Sequence, residues 1–128
     1  MKKDALFLMQ VITIPDQRYE RARRDIDFIK RYIFPGSCIP SVERIVKCTS
    51  KKSDLRLIQH SDYTSDYART LNCWHENLLK HRLKVEEKSS EEFLRMWRFY
   101  FSYCEGGFSE EVISSAQMLF ARPQYTGS

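Results

Sequence analysis

From Ala5 to Ile14 the chain reads ALFLMQVITI, an almost unbroken series of apolar side chains rich in β-branched and aromatic types, and Pro15 then ends any further ladder pairing. This is the pattern of a strand buried on both faces, so a layer is expected above it and below it. Gln10 and Thr13 interrupt the run, which falls well short of the ~18 apolar residues of a membrane span. Asp4 and the stretch Pro15-Asp16-Gln17-Arg18 stand where a cleavable leader would carry basic and small residues, so no leader is expected.

Beyond Pro15 the periodicity changes. Tyr19, Ala22, Ile26, Ile29 and Ile33 recur at steps of three and four, which predicts an amphipathic helix over Gln17–Ile33, stopped by Pro35-Gly36. Ser41 is placed to cap a short helix carrying Val42, Ile45 and Val46 on one side, and Leu55 to His60 alternates as a strand does. A further helix opens near Ser65-Asp66 and sets Tyr67, Leu71, Trp74 and Leu78 on a stripe. Ser89-x-x-Glu92 is a capping-box pattern at the start of the longest helix, with Phe93, Met96, Trp97, Tyr100 and Cys104 on one side and Gly106-Gly107 as its expected stop. The segment from Ser114 to Arg122 alternates again and predicts a last strand. Strands and helices in this order describe an α/β layered domain, 1–128 as a single partial domain. Three strands are few for so apolar a first strand, which points to a cover that the rest of this chain does not supply.

The chain has 128 residues, 42% of them hydrophobic, with 8 Phe, 7 Tyr and 2 Trp, enough to build a core and to exclude wholesale disorder. Lys and Arg number 21 against 17 Asp and Glu, a net charge of +4. That excess permits contact with nucleic acid or anionic lipid without choosing between them. Cys38, Cys48, Cys73 and Cys104 are widely spaced and show no metal-ligand pattern, so reduced thiols in a cytoplasmic protein and no metal are expected.

No glycine-rich loop joins an early strand to a helix as a nucleotide site requires, so a self-sufficient nucleotide-dependent enzyme is not expected. His60, His75 and His81 fit no catalytic spacing. Two features carry more information. The stretch Trp97 to Phe108 holds more aromatic side chains than one core-facing stripe uses, so it either packs or lines a pocket for a long hydrocarbon chain. Tyr67 stands where a strand's carboxyl end hands over to a helix, the ligand-binding position of open α/β sheets, so its hydroxyl either orients an anion or substrate or is satisfied within ordinary packing. The basic segment Arg18 to Arg31 is either a solvated helix face or a contact for phospholipid headgroups.

Three blocks in order, IxRYIFPGSCIPSVERI (Ile29 to Ile45), SDYARTLxxW (Ser65 to Trp74) and FLRMWRFYFSYCEGGF (Phe93 to Phe108), resemble the carboxyl-terminal part of cyclopropane-fatty-acyl-phospholipid synthases. These belong, with the mycolic acid cyclopropane synthases, to the S-adenosylmethionine-dependent methyltransferases. The resemblance implies the carboxyl-terminal half of a Rossmann-like class I methyltransferase: a three-stranded sheet with the last strand antiparallel in the middle and flanking helices. It implies transfer of a methylene from S-adenosylmethionine to the double bond of a phospholipid acyl chain. A carbocation forms, and a bound bicarbonate removes the proton that lets the ring close. Relatives that form a methyl branch or methylate an amine share much of the pattern.

By the same resemblance, Tyr67 matches the tyrosine whose hydroxyl contacts bicarbonate, Ile12 a residue contributing its backbone, and Gln10 a position where relatives often carry histidine. Gln10 can donate a hydrogen bond to an anion but cannot titrate. Tyr100, Tyr103 and Phe108 become an expected wall for the acyl chain. The S-adenosylmethionine loop would lie upstream, so the chain alone is expected to bind neither cofactor tightly. Its expected partners are acyl chains at a membrane surface, the amino-terminal part of the methyltransferase, and a second copy through an open sheet edge, with no nucleic acid. A non-catalytic module for anionic lipid is the alternative from another class.

Overall fold

A computed structural model describes residues 1–127. Its elements run β1 (Leu6–Thr13), α1 (Asp16–Arg24), a π turn (Ile29–Ile33), α2 (Val42–Lys52), β2 (Arg56–Asp62), α3 (Thr64–Lys80), α4 (Arg82–Lys88), α5 (Glu91–Ser109) and β3 (Ser114–Ala121). The sheet order is β1-β3-β2, with β3 antiparallel to both neighbours. The last strand therefore lies in the middle, as the resemblance implies.

β1 departs from expectation. Leu6, Phe7 and Leu8 are exposed, Leu8 by 61%. The reason is its position at the sheet edge: β3 covers one side of its backbone, and among the described residues no strand covers the other. The central strand is the one buried on its faces, with Ala116, Met118 and Phe120 enclosed. Alternation assigns Gln10 and Ile12 to the sheet face that meets α3 and α5, because Ile12 packs on the core formed by Leu71, Cys104 and Phe108.

Helix boundaries also shift, each for a local reason. The expected helix over Gln17–Ile33 breaks after Arg24. Asp27 accepts a hydrogen bond from the Lys30 amide at 2.9 Å and so starts a new turn, while Lys30 Nζ folds back to cap the carbonyls of Ala22 and Asp25. Gly36, at φ +79°, then turns the chain where Pro35-Gly36 was expected to stop it. Ser41 caps α2 as expected, accepting from the Arg44 amide. α5 is capped by Ser90, which accepts from the Phe93 amide at 3.1 Å. Ser89 instead donates back to the Val85 carbonyl, closing α4, a short helix the periodicity did not reveal. Gly106-Gly107 does not end α5, which continues to Ser109. β2 begins one residue late, extends to Asp62 and shifts register between Leu57 and Gln59.

Candidate functional site

Strand pairing decides which backbone groups of β1 are free. The Arg122 amide donates to the Ala5 carbonyl, and the Tyr63 amide donates to the Ser115 carbonyl. In antiparallel ladders bonded and non-bonded pairs alternate. With Ile12 opposite Ser115 and Gln10 opposite Gln117, the odd residues of β1 bond to β3, and Leu6, Leu8, Gln10 and Ile12 turn their N–H and C=O outward. The Ile14 amide, next along this outward series, is taken by the Pro40 carbonyl. The backbone of Ile12 is left unpaired among the described residues.

Tyr67 lies one turn into α3, which begins directly after β2 at Thr64. Asp62 accepts from the Thr64 amide at 2.9 Å, and the Thr64 hydroxyl accepts from the Ser115 amide at 3.2 Å, so the start of α3 is tied to the central strand. The Tyr67 ring packs on Phe108 at 4.9 Å and edge-on to Trp74 at 6.3 Å. Its hydroxyl has no hydrogen-bond partner among the described residues. Ile12, Tyr67 and Tyr100 all pack against the same Leu71–Cys104–Phe108 core. Gln10 is one pleat away on the face of Ile12, exposed, and accepts at Oε1 from Gln117 Nε2 at 3.2 Å, which leaves its own amide N–H groups free.

The aromatic residues divide. Phe108 is 2% exposed, so its ring is committed to the core and supports Tyr67 instead of forming an open wall. Tyr103 is exposed and stacks on Phe99, away from the Ile12–Tyr67 cluster. Tyr100 is half-buried in that cluster, where burial first, and then the neighbouring Cys104, push its hydroxyl up to about 12. Burial pushes the Cys104 thiol up to about 11, with a hydrogen bond from Tyr100 acting the other way. Both shifts favour the protonated forms at neutral pH.

The concave apolar surface lies next door and uses Trp97 and Phe101 from the surplus aromatic stretch, together with side chains outside it, in place of the expected Tyr100, Tyr103 and Phe108. An open groove of about 410 Å³ runs between α3, α4 and α5, lined chiefly by Trp74, Leu78, Val85, Phe93, Trp97 and Phe101. That is within the size range of small-molecule sites. The signal for it was present in the helical spacing of Phe93, Trp97 and Phe101. What the sequence hid was α4, which supplies the third wall. A smaller cleft of about 170 Å³ lies at the carboxyl ends of β1 and β2 and includes His60, Asp16 and Asp62. Both carboxylates are engaged there, Asp62 by the Thr64 amide and Asp16 by the Glu43 amide at 3.0 Å.

Neither strand-to-helix turn contains a glycine: β1 passes to α1 through Ile14-Pro15, and β2 to α3 through Tyr63. Neither turn therefore offers the glycine-rich cradle of a nucleotide-type cofactor. The Tyr67 hydroxyl, the Gln10 amide and the Ile12 N–H are neutral donors without a partner among the described residues.

The family profile described as mycolic acid cyclopropane synthetase matches residues 1–118. Tuberculostearic acid methyltransferase UfaA1 of Mycobacterium tuberculosis is 32% identical over 115 residues, covering 89% of this chain and 27% of that protein. Cyclopropane-fatty-acyl-phospholipid synthase of Escherichia coli K12 is 29% identical over 123 residues, 95% of this chain and 30% of that one. The solved cyclopropane synthase MmaA2 of Mycobacterium tuberculosis superposes with a TM-score of 0.81 at 26% identity, covering 94% of this chain and 45% of that one. The chain thus spans under half the length of the relatives it matches, and over that span the fold is the class I methyltransferase fold. On the profile match and the superposition together, the chain belongs to the mycolic acid cyclopropane synthetase family.

Proposed function

We propose that this chain forms the acyl-chain and anion-binding part of an S-adenosylmethionine-dependent methyltransferase that adds a one-carbon unit to the double bond of a phospholipid acyl chain. The observation that carries this reading is the continuity of the site. Tyr67, which packs on the same core as Ile12, touches Trp74, and Trp74 opens onto the apolar groove. A hydrocarbon chain in that groove ends near an anion held by Tyr67, Gln10 and Ile12. Bicarbonate, when bound, supplies a base and a negative charge to set against a developing cation. The protein's own contribution is three neutral donors that hold an anion without protonating it, and apolar walls that keep water from the acyl chain. The methyl donor site is assigned to residues outside this chain.

Trp74 and Trp97 are the only tryptophans in the sequence, and both line the groove. Tryptophan fluorescence therefore reports on the groove alone. An oleoyl phospholipid brominated across its double bond is expected to quench both tryptophans, with unbrominated lipid as control. Absence of quenching removes the acyl-chain reading. Calorimetry with S-adenosylmethionine is expected to show no heat of binding, and micromolar affinity would overturn the assignment of the donor site elsewhere. Mass analysis of lipid treated with the methyltransferase in which this chain resides distinguishes ring formation from methyl branching.

A further inference from the structure

We propose that the aromatic face shared by the π turn and α5, rimmed by Arg31, Arg95 and Arg98, is a docking surface for an anionic phospholipid bilayer. α5 carries two aromatic stripes. Phe93, Trp97 and Phe101 line the groove, whereas Phe99 and Tyr103 sit two residues out of phase, about 200° around the helix. The second stripe has only the π turn against it. Phe28 packs edge-on to Phe99 at 4.6 Å and lies 6.3 Å from Tyr103 and 5.5 Å from Tyr32, while Phe99 and Tyr103 stack at 5.8 Å. Four rings from two elements thus make one patch, in which Tyr32, Phe99 and Tyr103 remain exposed. Ile26, in the break just before, is 80% exposed. Single exposed apolar side chains are ordinary, but a joined cluster marks a contact surface.

Charge selects the partner. The arginines of α1 that the sequence singles out are largely neutralised within their own segment: Arg21 pairs with Asp25 at 3.4 Å, and Arg23 and Arg24 reach Glu20 at 3.1 and 3.9 Å. Around the aromatic patch the balance differs. Arg31 lies over the Tyr32 ring at 5.4 Å, Arg95 is one turn before Phe99 on the same side of α5, and Arg98 adjoins it. None of the three pairs with a carboxylate among the described residues. Asp27 is an acidic group at this face, and it is engaged by the Lys30 amide. Free guanidinium groups around rings that combine apolar bodies with tyrosine hydroxyls match the headgroup region of a charged bilayer. The surface is separate from the Tyr67 site and stands on its own observations.

The test is co-sedimentation of the purified chain with vesicles of phosphatidylcholine alone, or of phosphatidylcholine and phosphatidylglycerol in equal parts, at low and high salt. Binding is expected only to the anionic vesicles and is expected to weaken with salt. Each basic residue near such a surface is worth about a fivefold change in partitioning, so Arg95→Gln with Arg98→Gln is expected to bind roughly 25-fold more weakly. Phe99→Ala also loses its ring contacts with Phe28 and Tyr103, so it is expected to lower the urea midpoint somewhat and, while still folded by circular dichroism, to weaken binding at either salt. Equal binding to neutral vesicles, no loss in the arginine variant, or competition by free glycerol phosphate would overturn the proposal. So would a lipid-free dimer in which hydrogen exchange is suppressed along the π turn and Phe99–Tyr103, since the patch would then be a protein interface.

Discussion

Removing only the hydroxyl of Tyr67 separates a functional role for this residue from a structural one. The ring packs against Phe108 and Trp74, and the hydroxyl has no hydrogen-bond partner among the described residues. A buried structural hydroxyl leaves an unsatisfied partner when deleted, at a cost of about 1–3 kcal/mol. Here no partner is orphaned, so Tyr67→Phe is expected to change the unfolding free energy by less than about 0.5 kcal/mol. Tyr67→Ala removes two aromatic contacts, worth about 0.5–1.5 kcal/mol each, together with the ring's burial, for a total of about 3 kcal/mol. For a chain of this length that is a fall in melting temperature of roughly 9–15 °C. Urea and thermal unfolding followed by circular dichroism measure both variants. In the complete methyltransferase Tyr67→Phe is expected to lower turnover with the fold intact. A loss above about 1 kcal/mol in Tyr67→Phe would show that the hydroxyl holds the fold together, and the anion-site reading would fail with it.

Three further outcomes are expected. Cys104 and Tyr100 have folded pKa values raised from 9.0 to about 11 and from 10.0 to about 12, chiefly by burial. Their contribution to stability is therefore complete below about pH 9 and is lost as pH rises toward 12, which urea midpoints across that range will show. Ser90→Ala is expected to cost about 1 kcal/mol by removing the α5 cap, whereas Ser89→Ala, at an exposed site, is expected to cost about half that or less. Equal effects would place the cap wrongly. Leu8→Lys puts a charge on the exposed face of the edge strand β1 and is expected to reduce self-association in sedimentation velocity with little change in stability. A parent chain that stays monomeric at high concentration would refute the idea that this edge recruits a second copy.

Elements that rest on local chemistry were legible from the residues alone. Pro15 ended β1, Ser41 capped α2, the alternation from Ser114 marked β3, and three ordered blocks carried the family and hence the central, antiparallel last strand. Local rules failed where a distant or competing partner intervened. Lys30 and Asp27 split the first helix, and Ser89 closed α4 instead of opening α5. Composition alone could not show which apolar strand is covered, because burial depends on what lies alongside, so β1 emerged as an edge and β3 as the enclosed strand. The site divides in the same way. Tyr67 and Ile12 were legible as residues, but only packing brought them to one core, and only pairing parity turned the Ile12 backbone outward. The aromatic run of α5 was visible as surplus. It took the placement of α4 on one side and the π turn on the other to sort it into a groove and an exposed face, because a helix direction is defined only by its neighbours.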